Sequence, residues 1–230
     1  MDFKFVANEK VGTEEAKKVL YKICDKNTVL FLSGGKTPKP LYEELAKEQK
    51  LKVGAVAMVD DRYGLPMHPN SNEQMIANTG LFQYARTVDI PVYLQLKRRL
   101  SIKDTTKEYD ETVRYLFKNF PKRIAVLGIG SDGHTAGILP MYHILIYDTT
   151  NKNSLVSAFE YQEGEFKERI SLTFKALSEM DHLILLVFGE EKKKALEEMF
   201  KKGPIEQVPA RFFNRPEVLN KTLLITDQRV

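Results

Sequence analysis

Three times along this chain an apolar, β-branched run stops abruptly at a glycine-rich or charged turn, and that pattern narrows what the chain can fold into. Residues 28–32 run into Ser33-Gly34-Gly35-Lys36-Thr37-Pro38, residues 53–59 into Asp60-Asp61-Arg62-Tyr63-Gly64, and residues 124–127 into Gly128-Ile129-Gly130-Ser131-Asp132-Gly133-His134-Thr135. Short apolar runs bounded by turn signals read as buried strands. Helical patterns separate them. Strands alternating with helices predict an α/β fold: a three-layer, Rossmann-like arrangement whose largely parallel sheet is covered by helices on both faces. Ligands of such sheets bind beyond the carboxyl ends of the strands. All three turns are expected at that end, so they are expected to share one site.

The stretch 124–140, IAVLGIGSDGHTAGILP, carries the most chemistry. The spacing Gly128-x-Gly130-x-x-Gly133 matches a dinucleotide fingerprint. That reading needs a helix opening at the last glycine and an acid about 20 residues on. Pro140 interrupts any such helix and position 153 is Asn. A plain glycine turn bearing a surface histidine is a second reading. A third is catalytic, with Asp132 fixing the tautomer and orientation of His134, whose neutral imidazole accepts protons near neutral pH.

The turn at 33–38 is the second informative motif. Thr37 is a good N-cap and Pro38 suits the first helical position, which predicts a helix over 38–48. A strand, a glycine turn and a capped helix together present unpaired N–H groups to an anion. The motif is not a Walker A loop, because Leu30 stands where its first glycine belongs. An ordinary βα turn is the alternative. Asp60, Asp61 and Arg62 read equally as solvated loop charges.

Elsewhere the pattern predicts an edge strand at Phe3, Phe5 and Ala7 and a helix over 13–25. A capping box, Ser71 with Gln74, opens a helix through Ala77. A strand is expected within 88–93. A helix over 103–120 has Tyr109, Val113, Leu116, Phe117 and Phe120 on one face as core. Residues 141–153 give no clear signal. Strands are expected at 155–159, 169–173, 182–188 and 223–226, with helices over 174–180 and 190–201. Lys192, Lys193 and Lys194 on the last of these read as a solvated face. His182 is expected to end a strand rather than to bind a ligand.

A length of 230 residues suits one domain, 1–230. The formal net charge of +4 gives no nucleic-acid coat, yet is compatible with an anionic small substrate. The single cysteine, Cys24, excludes an intrachain disulfide. With four histidines and neither HExxH nor CxxC, the sequence gives little support for a metal site. The first ten residues lack the apolar core of a secretory signal, and the run 183–188 is far short of a membrane span. A cytoplasmic protein with no membrane or nucleic-acid partner is expected. No feature of the sequence sets an oligomeric state.

Taken in order, these motifs resemble the glucosamine-6-phosphate deaminase/6-phosphogluconolactonase family over residues 28–215. Ser33-Gly34-Gly35-Lys36-Thr37-Pro38 resembles its SGGxTP loop. Asp60-Asp61-Arg62 with Ser71-Asn72 resembles the lactonase DER…SN pattern. Residues 128–136 resemble GxGxDGHTA, Arg169-Ile-Ser-Leu-Thr173 resembles RITLT, and Gly189-Glu-Glu-Lys192 resembles the late GxxK. The deaminase branch shows DEY, SY and DGHIAFNEP. Here Arg62 and Asn72 replace its two tyrosines, and Leu139 replaces its glutamate. Lys36, Asp61, Gly137-Ile138-Leu139 and Met141 depart from the lactonase pattern.

The resemblance implies hydrolysis of a phosphorylated sugar lactone, with no metal or organic cofactor. It makes His134 the general base and Asp132 its support. Arg62 and amides near Gly35 are implied for the oxyanion, with Asp60 a further candidate carboxylate. Ser33, Gly34, Gly35, Lys36, Thr37, Arg169 and Lys192 are implied for the substrate and its phosphate. A deaminase/isomerase, a non-catalytic sugar-phosphate binder and a nucleotide-dependent oxidoreductase are the rival readings.

Overall fold

The computed structural model describes residues 1–140, 144–147 (as backbone), 153–162 and 166–229. In chain order its strands are β1 (Asp2–Phe5), β2 (Thr28–Leu32), β3 (Ala55–Met58), β4 (Asp60–Arg62), β5 (Val92–Tyr93), β6 (Lys122–Gly128), β7 (Ile144–Tyr147), β8 (Val156–Tyr161), β9 (Glu168–Leu172), β10 (His182–Val187) and β11 (Thr222–Thr226). The helices are α1 (Glu9–Ile23), α2 (Lys39–Glu48), α3 (Asn72–Asn78), α4 (Leu81–Thr87), α5 (Ile102–Asn119), α6 (Phe174–Ser178), α7 (Lys193–Phe200) and α8 (Pro216–Leu219).

Seven strands form one sheet in the order β1-β11-β10-β6-β2-β3-β5, every pair parallel. Parallel strands covered on both faces need continuous apolar runs. β2 and β3 are buried throughout, and β10 is buried from Leu183 to Val187. β1 closes one edge, where Phe3 and Phe5 remain 45% and 55% exposed, as the alternation at that end suggests.

Chain direction places the helices. From β1 through α1 to β2, and from β2 through α2 to β3, the connection moves one way across the sheet; α5, α6 and α7 join strands that step the other way. Right-handed crossovers therefore put these two groups on opposite faces. α1 and α2 are tied by Lys17, which reaches Glu44 at 3.3 Å and Glu48 at 2.6 Å. On the other face α5 buries Tyr109, Val113, Leu116 and Phe117, with Phe117 edge-on to Phe31 of β2. The expected helix stripe is thus core, apart from the half-buried Phe120.

Several boundaries move. α1 opens four residues before 13, because the Asn8 side chain accepts from Val11 N at 3.1 Å. The residue flanking α2 is Pro38 rather than Thr37, and no side chain caps that end. Within 88–93 only Val92–Tyr93 pair. The expected helix 190–201 begins as a 3-10 turn, Glu190–Lys192, before α7. Of residues 141–153, 144–147 form β7, while 141–143, including Met141, and 148–152 lie outside the described residues.

The larger correction concerns Asp60-Asp61-Arg62. These are not solvated loop charges: they form β4, in a second, antiparallel sheet ordered β4-β9-β8-β7. Asp60 and Asp61 are both buried. Asp61 is held by backbone donors, with Arg62 N and Asn72 N each at 2.7 Å and Glu73 N at 3.0 Å. It thus closes the start of α3 from outside, beside the Ser71 cap, whose Oγ accepts from Gln74 N at 3.0 Å as the capping box suggests. Burial, with the Glu73 carboxylate alongside, pushes Asp61 up to about 8, and the amide donors pull against that rise. Asp61→Ala would leave three backbone donors, two of them buried, without an acceptor. It should cost on the order of 2–4 kcal/mol, read as a lower denaturation midpoint. An unchanged midpoint would show that water replaces the carboxylate freely.

Candidate active site

From β2 the chain steps to β3 on one side, while from β6 it steps to β10 on the other. The neighbouring carboxyl ends of β2 and β6 therefore diverge, and that switch point is where an open α/β sheet leaves a crevice. A cleft of about 410 Å³ opens there.

The turn after β2 forms one wall. Ser33, Gly34, Gly35, Lys36 and Thr37 all line the cleft. Ser33 is buried, its carbonyl accepts from the Tyr42 hydroxyl at 2.9 Å, and its own Oγ has no partner. Gly34 is required by close approach: a Cβ there would lie 1.8 Å from Asn72 Oδ1. Asn72 Nδ2 in turn donates to Asp60 O at 2.8 Å and Asp60 Oδ2 at 3.2 Å. One asparagine thus couples the β2 turn, β4 and α3. In the sequence Asn72 shows only as part of a motif, and its place just after the Ser71 cap is the available signal.

The small sheet supplies the opposite charges. Arg62 and Arg169 are direct cross-strand partners on β4 and β9. Like charges in that position repel. Arg62 Nη1 donates to Asn70 O at 2.6 Å, while the buried Nε atoms of Arg62 and Arg169 have no partner in the protein. Asp60 lies among them. Burial raises its pKa, and Arg169, Arg62 and His134 oppose that rise. Burial also lowers the pKa of Arg169, with Asp60 pulling it back up.

The turn after β6 brings the imidazole. His134 Nδ1 lies 2.6 Å from Asp132 Oδ1, which also accepts from His134 N at 3.1 Å. Gly130 makes room, since a Cβ there would stand 2.0 Å from His134 Nδ1. Burial alone would raise the Asp132 pKa; the bond and charge of His134 overcome it and hold Asp132 at about 2. An ionised carboxylate can only accept, so Nδ1 carries a proton, and in the neutral ring Nε2 presents its lone pair. The His134 side chain is 33% exposed and lines the cleft, while Asp132 stands behind it. No helix opens at Gly133; instead Thr135 and Ile138 form a bridge. The dinucleotide reading therefore fails on its own requirement.

The last wall follows β10. Lys192 and Glu191 line the cleft, whereas Lys193 turns to Glu190 at 3.7 Å and Lys194 is exposed. Only Lys192 departs from the solvated-face reading. Glu191 joins it with no distinguishing signal in the sequence. The cleft gathers every expected site residue except Asp132, which is bonded to His134 from outside it. Among the described residues no three His, Cys, Asp or Glu side chains gather as a metal ligand set, and no helix is long and apolar enough to cross a membrane.

A parallel sheet whose switch point combines a glycine turn, paired guanidiniums and an Asp-held imidazole defines an α/β protein with a cleft suited to an anionic small molecule. The family described as glucosamine-6-phosphate isomerases/6-phosphogluconolactonase matches residues 9–223, and the chain belongs to it. A 6-phosphogluconolactonase of Thermotoga maritima is 31% identical over 209 residues, covering 89% of this chain and 88% of that one. The crystal structure of 6-phosphogluconolactonase from that organism matches with a TM-score of 0.75 at 29% identity over 97% of both chains. A 6-phosphogluconolactonase structure from Shewanella baltica shares the fold, with a TM-score of 0.81 at 19% identity over 98% of this chain and 97% of that one. So does a monomeric glucosamine-6-phosphate deaminase, with a TM-score of 0.76 at 19% identity over 98% and 97%. Fold alone therefore does not choose between the two reactions.

Proposed function

We propose that the chain hydrolyses 6-phosphogluconolactone to 6-phosphogluconate, the lactone step of the pentose phosphate pathway. The observation that carries this reading is the 2.6 Å bond from His134 to Asp132, which leaves Nε2 free in a cleft walled by Arg62, Arg169 and Lys192. Nε2 takes a proton from water as its oxygen attacks the ester carbonyl. The imidazolium returns that proton to the ring oxygen as the C–O bond breaks, and the new acid ionises. Asp132 holds the ring and balances its charge.

Arg169, Lys192 and the 33–37 turn grip the phosphate, and this remote binding orients the ester. Arg62, directly across from Arg169, continues the positive wall. With amides near Gly35 it meets the negative oxygen of the tetrahedral intermediate. Asp60 lies among Arg62, Arg169 and His134, so it holds the two guanidiniums in place. Every part of this site lies on the central sheet, the small sheet, or the turns and helix starts beside them. We accordingly take 1–230 as a single lactonase-like domain acting in the cytoplasm, where phosphorylated sugars are retained.

The deaminase reading lacks a residue. Leu139 stands where that branch carries its glutamate, and it packs with Ile138, Phe159 and Tyr161 in a small apolar cluster. Ring opening and isomerisation need a further acid/base group. Fresh 6-phosphogluconolactone and glucosamine 6-phosphate should be supplied in parallel. Acid release from the first, above the enzyme-free rate, is expected, with negligible ammonia from the second. Ammonia release exceeding lactone hydrolysis would reverse the branch. Binding of 6-phosphogluconate without turnover of either would mark a binder.

A further inference from the structure

Five described residues other than glycine have a positive φ: Gln49, Met67, Asp89, Arg99 and Ala136. Of these only Ala136, at φ 52°, is buried, and only it lines the cleft. It is the first central residue of a two-residue turn. Thr135 N donates to Ile138 O at 3.3 Å, and Ile138 N to Thr135 O at 3.0 Å. Turns of this kind ordinarily put glycine where φ is positive, because a Cβ crowds the following carbonyl. Here the glycine comes one residue later, for another reason: a Cβ on Gly137 would lie 2.9 Å from Ser171 Cβ and 3.3 Å from Asp60 Cβ. The chain thus has glycine where its neighbours leave no room, and a methyl group where the backbone disfavours one.

Both neighbours of Ala136 are anchored. Thr135 Oγ1 donates to Gly128 O at 2.9 Å, and Gly137 N donates to Ser171 Oγ at 3.0 Å. The remaining freedom between the His134 segment and the small sheet lies at position 136. Glycine there would open several backbone wells, whereas alanine leaves one narrow one. We propose that Ala136 is a positioning residue for His134: its strained, methyl-bearing backbone locks the turn that presents the imidazole to the cleft. The inference rests on His134 acting as the base, and its test separates the two.

Ala136→Gly should raise the thermal midpoint, because strain is relieved, yet lower kcat. A loss of roughly tenfold is expected, less than the ~10²-fold that a full ångström of misplacement can cost. KM for the lactone and affinity for 6-phosphogluconate should not change. Ala136→Ser, which keeps the Cβ, should retain kcat within about twofold. In a His134→Ala background, Ala136→Gly should cost nothing further, since the group it positions is gone. Wild-type kcat in Ala136→Gly would overturn the proposal, as would an equal loss with and without His134. If His134→Ala itself kept full turnover, the base assignment would fail first, and that measurement is made separately.

Discussion

His134→Ala should lower kcat by about 10²–10⁴-fold, the usual contribution of a positioned general base, and leave KM for the phosphorylated lactone nearly unchanged. The split follows from the layout of the cleft. His134 hangs from the turn after β6, whereas Arg169, Lys192 and the 33–37 turn sit on three other segments. Removing the imidazole should therefore leave the proposed phosphate grip intact. Asp132, held at about 2 by His134, stays ionised across any practical assay range and adds no limb to the pH profile. Lactones open spontaneously in base, so each rate is measured against an enzyme-free blank. A folded His134→Ala protein with near wild-type turnover would remove the histidine from the mechanism. Asp60, which lines the cleft with its carboxyl bonded to Asn72 at 3.2 Å, would be the next carboxylate to test.

The parts of this molecule that were legible in the sequence are those governed by apolar continuity and by glycine. β2, β6 and β10 announce themselves because strands covered on both faces must be apolar throughout. The β2 and β6 turns show in their glycines, which the structure explains by the approach of Asn72 to Gly34 and of His134 to Gly130. β4 was illegible. A strand of two aspartates and an arginine contradicts every β propensity, and it exists because backbone amides of α3 and paired guanidiniums satisfy its charges. Whether a charge is solvated or buried depends on partners more than ten residues away: Asp61 on Asn72, Arg62 opposite Arg169. The three lysines at 192–194 show the same limit. Their helical pattern is clear, but only the 3-10 turn at Glu190–Lys192 sets Lys192 into the cleft.

Arg169→Ala should raise KM for 6-phosphogluconolactone by roughly 10–100-fold while leaving KM for unphosphorylated gluconolactone almost unchanged. The size follows from the net loss of one charge-assisted bond to phosphate, about 1.5–3 kcal/mol. The direction follows from the register. Arg169 faces Arg62 across β9 and β4, and the Nε atoms of both are buried with no partner in the protein. Two like charges held opposite each other cost stability unless an anion joins them. Asp60 offsets part of that repulsion, and a phosphate dianion would supply the rest. A residue kept only for the fold would therefore behave differently from one kept for the ligand. Loss of Arg169 relieves repulsion with Arg62 but also strips buried Asp60 of its strongest counter-charge, so the thermal midpoint of the free protein should hold steady or fall modestly. The stabilisation that 6-phosphogluconate gives the wild type should shrink in the variant. Arg169→Lys should recover only part of the lost affinity, since an ammonium is a point charge and lacks the planar fork that meets two phosphate oxygens at once. Equal changes in KM for the phosphorylated and unphosphorylated lactones would show that Arg169 serves the sugar ring or the ester instead.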